Sequence, residues 1–100
     1  MVSGRLPPEV IQRTVRSNFG RFRLCYEMGL KKNPALAGTV KVAFVIGMDG
    51  SVSSVADAGS GIPDRDVASC VVRALGGLAF REPAGGVVRV TYPIDFSPTP

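Results

Sequence analysis

The 100-residue chain lacks histidine and contains only two cysteines. Without histidine, no side chain has an unperturbed pKa that suits a general base at neutral pH. The eight acidic residues lie mostly in turns or at helix starts, where capping explains them. Two cysteines without histidine cannot complete a zinc site on their own. We therefore predict that the protein is not an enzyme and that it binds no metal, cofactor or small-molecule substrate.

Segments that would cross or pass a membrane are also missing from the sequence. No stretch approaches the ~18 apolar residues that indicate a transmembrane helix. The N-terminal residues Met1 to Pro8 lack the apolar core of a signal peptide. Hydrophobic residues make up 45% of the chain, which suits a single domain with a modest core. A targeting or anchoring segment is therefore expected only in a longer parent chain.

Two segments have apolar residues at helical spacing. The first helix is predicted over about residues 8–31, between the prolines at 7–8 and the helix-stopping pair Asn33–Pro34. Its apolar stripe comprises Ile11, Val15, Phe19, Phe22 and Tyr26. The second helix is predicted over about residues 64–76, with Asp64 or Asp66 at its positive end.

Three segments have the alternating pattern of strands. Residues 38–46 and 88–96 each alternate regularly, and 51–58 follows the turn-forming pair Asp49–Gly50. Val52 and Val55 are an odd number of positions apart, which predicts a bulge or a twist in the second strand. The predicted fold class is α+β, in the order helix, β-hairpin, helix, strand. It has a three-stranded antiparallel sheet with two helices packed on one face.

Cys25 and Cys70 each border the buried stripe of a predicted helix. If both helices pack on the same sheet face, the two thiols can meet and form a disulfide. Such a bond would close a loop of about 46 residues and stabilise the fold by roughly 4 kcal/mol. Two unlinked buried thiols are the alternative. The disulfide is the favoured interpretation, and it implies an oxidising compartment.

The formal net charge of +4 is concentrated in the first part of the chain. A basic surface is predicted on the first helix, formed by Arg13, Arg16, Arg21 and Arg23. It suits nucleic acid, acidic lipid or an acidic protein. A solvated helix face explains the same residues, and we favour that interpretation because they are spread around the helix.

The last strand is the best candidate for a binding surface. It is the longest strand signal, and an exposed sheet edge must be either protected or used. An extended partner segment can add to such an edge as a further strand. The predicted contact residues are Val87, Val88, Arg89, Val90, Thr91, Tyr92 and Ile94. Simple protection of the edge by Pro93 and charged side chains is the alternative.

Several motifs occur in a familiar order: GTVKVAFVIGMDGSVSSVADAGSG, DVASCVVRALGGLAF, REPAGG and VRVTYPIDF, over about residues 38–96. This order resembles the C-terminal domain of TonB-type energy transducers. The segment CYEMGLKKNPALAG, together with ASCVV, is similar to a two-cysteine variant found in myxobacterial proteins, including those of the gliding-motility machinery. Residues 5–97 fit this variant.

The resemblance implies one periplasmic domain, residues 1–100, excised from the C-terminus of an inner-membrane-anchored protein. It implies an envelope-spanning, force-transmitting role in gliding motility, with a periplasmic segment of an outer-membrane or envelope protein bound at the last strand. Membrane contact is expected only through the parent chain, and the domain itself is expected to be a monomer or an edge-strand dimer. Energy transduction for outer-membrane nutrient transport is one alternative, and nucleic-acid binding through the basic helix is another.

Overall fold

A computed structural model describes residues 4–98. The ends of the predicted domain, residues 1–3 and 99–100, lie outside the described residues. The elements follow one another as α1 (Pro8–Ser17), α2 (Phe19–Lys32), β1 (Gly38–Ile46), β2 (Val52–Asp57), α3 (Arg65–Gly76) and β3 (Val88–Phe96). The α+β class and the antiparallel sheet are therefore confirmed. No helix within residues 4–98 has the length and apolar content needed to cross a membrane.

The predicted first helix is interrupted at Asn18, so it forms two helices, α1 and α2. Asn18 has φ −108° and ψ 12°, away from helical values. Its side-chain amide donates to the carbonyl oxygen of Thr14 at 2.8 Å. Asparagine side chains compete with the backbone for hydrogen bonds in this way, and this weakens helix interiors. The apolar spacing continues across the break, which is why periodicity alone predicted one helix.

The sheet has the strand order β2-β1-β3, and both neighbouring pairs are antiparallel. In the β1–β2 pair, Val45 lies opposite Ser54 but Ile46 lies opposite Val52. The register therefore shifts by one residue, and Ser53 is the extra residue of a bulge. This confirms the predicted bulge and explains how Val52 and Val55 both become half-buried.

The core lies between the helices and one face of the sheet. Phe22, Val40, Val42 and Ile46 are completely buried. Aromatic rings extend the core to the ends of the sheet, where Tyr26 stacks on Phe96 with ring centroids 4.8 Å apart. The opposite sheet face has no helix on it within residues 4–98. The fold therefore has two layers, one of helices and one of strands.

A disulfide joins Cys25 of α2 to Cys70 of α3. Their α-carbons are 5.6 Å apart, and their positions in the sequence differ by 45. Cys25 is 3% exposed, whereas Cys70 is half-buried. The bond ties together the two helices that lie side by side on the sheet.

Asp64 is the N-cap of α3 and provides a pH-dependent contribution to stability. Its Oδ1 accepts from the backbone N–H groups of Asp66 at 2.9 Å and Val67 at 3.1 Å. The hydrogen bond from Val67 is the main cause of a lowered pKa at Asp64, and Lys32 nearby lowers it further. Since the folded-state pKa is depressed, this stabilisation is present above the unfolded-state pKa of about 3.9 and is lost as pH falls through the folded-state pKa.

We predict that Asp64→Ala lowers the Tm at pH 7 by about 5 °C, a typical N-cap loss for a domain of this size. The difference in Tm from the wild type should shrink as the pH is lowered from 5 to 2.5, which thermal denaturation followed by circular dichroism can measure. Asp64→Asn is the matched control, because it keeps the capping oxygen without the charge. A Tm difference for Asp64→Ala that is independent of pH would contradict the prediction.

Candidate protein-binding edge

The sheet has two outer strands, and only one of them offers a long regular edge within residues 4–98. β2 has six residues and contains the bulge. Its start is also covered, because Ser51 forms a bridge with Ala79 and the Phe80 N–H donates to the Gly50 carbonyl oxygen at 2.8 Å. β3 has nine residues and pairs with β1 without a register shift. The candidate binding edge is therefore the outer side of β3.

Successive residues of β1 direct their backbone N–H and C=O groups alternately toward β2 and toward β3. This alternation determines which backbone groups of β3 point outward. The Lys41 carbonyl oxygen accepts from the Ala58 N–H at 2.8 Å, and the Lys41 N–H donates to Ser60 Oγ at 3.0 Å. The backbone of Lys41 is thus directed toward the β2 side, away from Pro93, which lies opposite it on β3. Because bonded and non-bonded pairs alternate in antiparallel sheets, the odd-numbered residues of β3 direct their N–H and C=O groups to the edge.

A second contact also shows that an odd-numbered residue at the β3 end of the sheet directs its backbone outward. The carbonyl oxygen of Val87 accepts from the Gly4 N–H at 2.8 Å, on the side away from β1. Pro93 is one of the outward residues, so its missing N–H removes no bond to β1. The remaining outward donors of β3 are the N–H groups of Arg89, Thr91 and Asp95. Within residues 4–98, no strand pairs with them.

The N-terminal segment covers one end of this edge. Gly4 bonds to Val87, and Arg5 forms an antiparallel bridge with Ala84. At the other end, the ring of Phe19 lies 5.8 Å from that of Phe96. In the chain, α1 lies between the segments that reach these two ends. The stretch open to a partner strand is therefore 89–95.

The predicted contact residues divide into three groups. Arg89 and Thr91 are exposed, with outward backbone groups. Val90 and Tyr92 bond to β1, but their half-buried side chains lie on the helix side of the sheet within reach of an added strand. The rest are less accessible: Val87 is partly covered by Gly4, and Val88 and Ile94 are buried at 8% and 3% exposure.

Small side chains form a shallow depression on the open sheet face beside the edge. Ala43, Ser54, Ala56 and Thr91 line it on three neighbouring strands. The longer side chain of Arg89, an edge residue, also lines it. Sequence reasoning did not identify it, because small residues at solvent-facing strand positions give no signal until the register is known.

The basic residues do not form one patch. Arg13, Arg16, Arg21 and Arg23 are all exposed, and within residues 4–98 none of them pairs with a carboxylate. On α2, Arg21 and Arg23 lie about 160° apart around the helix, two residues at 100° each. The structure therefore places them on opposite flanks of α2 and not along a single stripe.

No metal or cofactor site is evident in the described part of the chain. Nowhere in residues 4–98 do three His, Cys, Asp or Glu side chains gather as metal ligands would. Asp57, the last residue of β2, accepts hydrogen bonds from the Ser60 N–H, the Ser60 hydroxyl and the Gly59 N–H, and these bonds lower its pKa. These bonds hold the loop after β2, which is a structural role.

Comparison with known proteins gives one structural likeness. No family model matches the chain, and no curated protein matches it. Among solved structures, the chain is similar to the C-terminal domain of TonB from Helicobacter pylori, determined by NMR in solution. The sequence identity is 18%, the alignment covers 93% of this chain and 94% of that chain, and the TM-score is 0.48.

Proposed function

We propose that this domain is a protein-interaction module that accepts an extended segment of a partner protein as a fourth strand on β3. The observation that carries the proposal is the outward, strand-free backbone of residues 89–95. Up to three N–H donors and four C=O acceptors are available there. The exposed Arg89, Thr91 and Pro93, together with the half-buried Val90 and Tyr92, would select the partner's side chains.

The cellular setting is proposed from the sequence resemblance to TonB-type C-terminal domains. In this setting the domain lies in the periplasm at the end of an inner-membrane-anchored chain and binds a segment of an outer-membrane or envelope protein. The two-cysteine pattern favours a role in gliding motility, and energy transduction for nutrient transport is the alternative. The Cys25–Cys70 disulfide supports an oxidising compartment of this kind.

Nucleic-acid binding is the competing function of another class. It would use Arg13, Arg16, Arg21 and Arg23, and its affinity would fall steeply with salt concentration. Within residues 4–98, the exposed large hydrophobic side chains are Leu24, Met28 and Met48, none of them aromatic. Single-stranded nucleic acids are usually held by stacking on such rings, so this function has less support than strand addition.

We predict that Thr91→Pro abolishes partner binding without unfolding the domain. The N–H of Thr91 points to the edge, so its loss spares the bonds to β1, as Pro93 already does. Pro93→Thr is the matched control, because it restores a donor two residues away and should leave binding equal or stronger. Val90→Pro would instead remove a bond between β3 and β1 and destabilise the sheet.

The measurement uses peptides selected from a ten-residue display library on the immobilised wild-type domain. Their affinities for Thr91→Pro and Pro93→Thr are then compared by calorimetry, with circular dichroism confirming that both variants are folded. A loss of at least tenfold in Thr91→Pro alone supports strand addition. Equal affinity in a folded Thr91→Pro variant would contradict it, as would a library that yields no binding peptide.

A further inference from the structure

A short segment before α1 covers the position that leads into β3. We call this segment, residues 4–6, the strap. The Gly4 N–H donates to the Val87 carbonyl oxygen at 2.8 Å, and Arg5 and Ala84 exchange two backbone hydrogen bonds of 2.7 and 2.9 Å. Val87 directs its carbonyl group to the edge, so the strap occupies an acceptor that a partner strand would otherwise use.

The strap lies in the path of an added strand. Its bridge with Ala84 is antiparallel, and from Arg5 to Gly4 the bonded partner changes from Ala84 to Val87. The strap therefore extends along the outer side of the edge in the direction of Arg89. An edge accepts one neighbouring strand at a spacing of about 4.8 Å, so the strap and a partner strand exclude each other at Val87.

The contact at Gly4 joins two backbones and leaves no room for a side chain. A β-carbon at this position would lie 2.1 Å from the carbonyl oxygen of Gly86 and 2.8 Å from that of Val87. Because both neighbours are backbone atoms, they cannot rotate away as a side chain can. Any residue other than glycine at position 4 would push the strap away from the edge.

Few interactions hold the strap apart from its three backbone hydrogen bonds. Arg5 is exposed, and Gly4 and Leu6 are only half-buried. Leu6 packs against the core and joins the strap to α1, so residues 4 and 5 can leave the edge without exposing a fully buried side chain. Segments with so few buried contacts open at a low free energy. The tether at Leu6 keeps the released strap close, which favours its return.

We propose that the strap is an intramolecular competitor that shortens the binding edge and weakens partner binding. With the strap bound, a partner strand pairs with residues 89–95. With the strap released, the edge extends over residues 87–95, and a longer partner gains a backbone bond to Val87. This inference rests on the proposed strand addition and adds a means of regulating it, since any event that detaches residues 4 and 5 raises the affinity for the partner.

Two variants release the strap by different routes. Gly4→Ala introduces the overlap with Gly86, and Arg5→Pro removes the N–H that donates to Ala84. Gly61→Ala is the matched control, because a β-carbon there would meet nothing within 4 Å. The Ala84 N–H donates to Arg5, so its hydrogen exchange, followed by NMR, reports on the strap. We expect this exchange to be at least tenfold faster in Gly4→Ala and Arg5→Pro than in the wild type and Gly61→Ala.

Calorimetry then measures the effect on binding, with a ten-residue peptide selected on the wild-type domain and its tightest-binding seven-residue fragment. For the wild type and Gly61→Ala, we expect the two peptides to bind within about twofold of each other. For Gly4→Ala and Arg5→Pro, the ten-residue peptide should bind about fivefold more tightly than the fragment. This gain is typical of one additional backbone hydrogen bond.

The outcomes separate this inference from strand addition itself. If no peptide binds, or if a folded Thr91→Pro variant binds as the wild type does, strand addition fails and the strap has no partner to compete with. If Thr91→Pro weakens binding but neither Gly4→Ala nor Arg5→Pro favours the longer peptide, the inference about the strap alone is overturned. Slow exchange of the Ala84 N–H in both variants would also overturn it, because the strap would then be a fixed part of the fold.

Discussion

Reduction of the Cys25–Cys70 disulfide is expected to lower the free energy of unfolding by about 4 kcal/mol. The bond joins positions with a sequence separation of 45, and the loop between them includes all of β1 and β2. Without it, the unfolded chain gains the conformational freedom of a long loop, and the α2–α3 contact loses its covalent link. Because domains of this size have a stability of only about 5–15 kcal/mol, this loss is a large fraction of the total.

Guanidinium denaturation with and without dithiothreitol measures this effect. The variant Cys25→Ala/Cys70→Ala is the control, because reductant should leave its midpoint unchanged. Alkylation of the unfolded wild type should label both cysteines only after reduction. A reductant-induced loss below about 1 kcal/mol would contradict the prediction and would remove the support that the disulfide lends to an oxidising compartment.

Replacement of Gly50 by alanine is expected to cost about 4 kcal/mol, from backbone strain and steric overlap together. Gly50 has φ +86°, a region that residues with a β-carbon rarely adopt. A β-carbon at this position would lie 2.1 Å from the carbonyl oxygen of Phe80. Backbone atoms cannot rotate away as a side chain can, so the segment around Phe80 would have to move, and its ring stacks on Phe44 in the core.

The variant Gly59→Ala separates the cost of backbone strain from the cost of steric overlap. Gly59 has φ +100°, but a β-carbon there would meet nothing within 4 Å. Its cost should therefore be the backbone strain alone, about 1–2 kcal/mol. Chemical denaturation of both variants gives the comparison. Equal losses in Gly50→Ala and Gly59→Ala would show that the close approach of Phe80 adds nothing to the cost.

Local sequence patterns were sufficient to predict most of the secondary structure. β1 and α3 match their predicted ranges to within a residue, because alternation and helical spacing depend on neighbours along the chain. The spacing of Val52 and Val55 alone predicted a bulge or a twist in β2, and the register of the β1–β2 pair places the bulge at Ser53. The break at Asn18 was missed, because the apolar stripe continues through it while a side-chain hydrogen bond interrupts the helix.

The candidate edge was only partly predictable. Alternation identified β3 as a long strand with Arg89 and Thr91 on its solvent face. It could not show which backbone groups of β3 point outward, since that depends on which residues of β1 bond to β2 and which bond to β3. Nor could it show that Gly4 covers Val87, because these residues are far apart in the chain.

The sequence by itself determined most of the elements, the α+β class and the distribution of charge, because each of these depends on residue type and near-neighbour spacing. Tertiary structure decided which side of β3 stays open, how Gly50 meets Phe80 and which apolar residues of α2 remain exposed. These features arise from contacts between distant segments, and packing geometry selects among the arrangements that the local patterns allow.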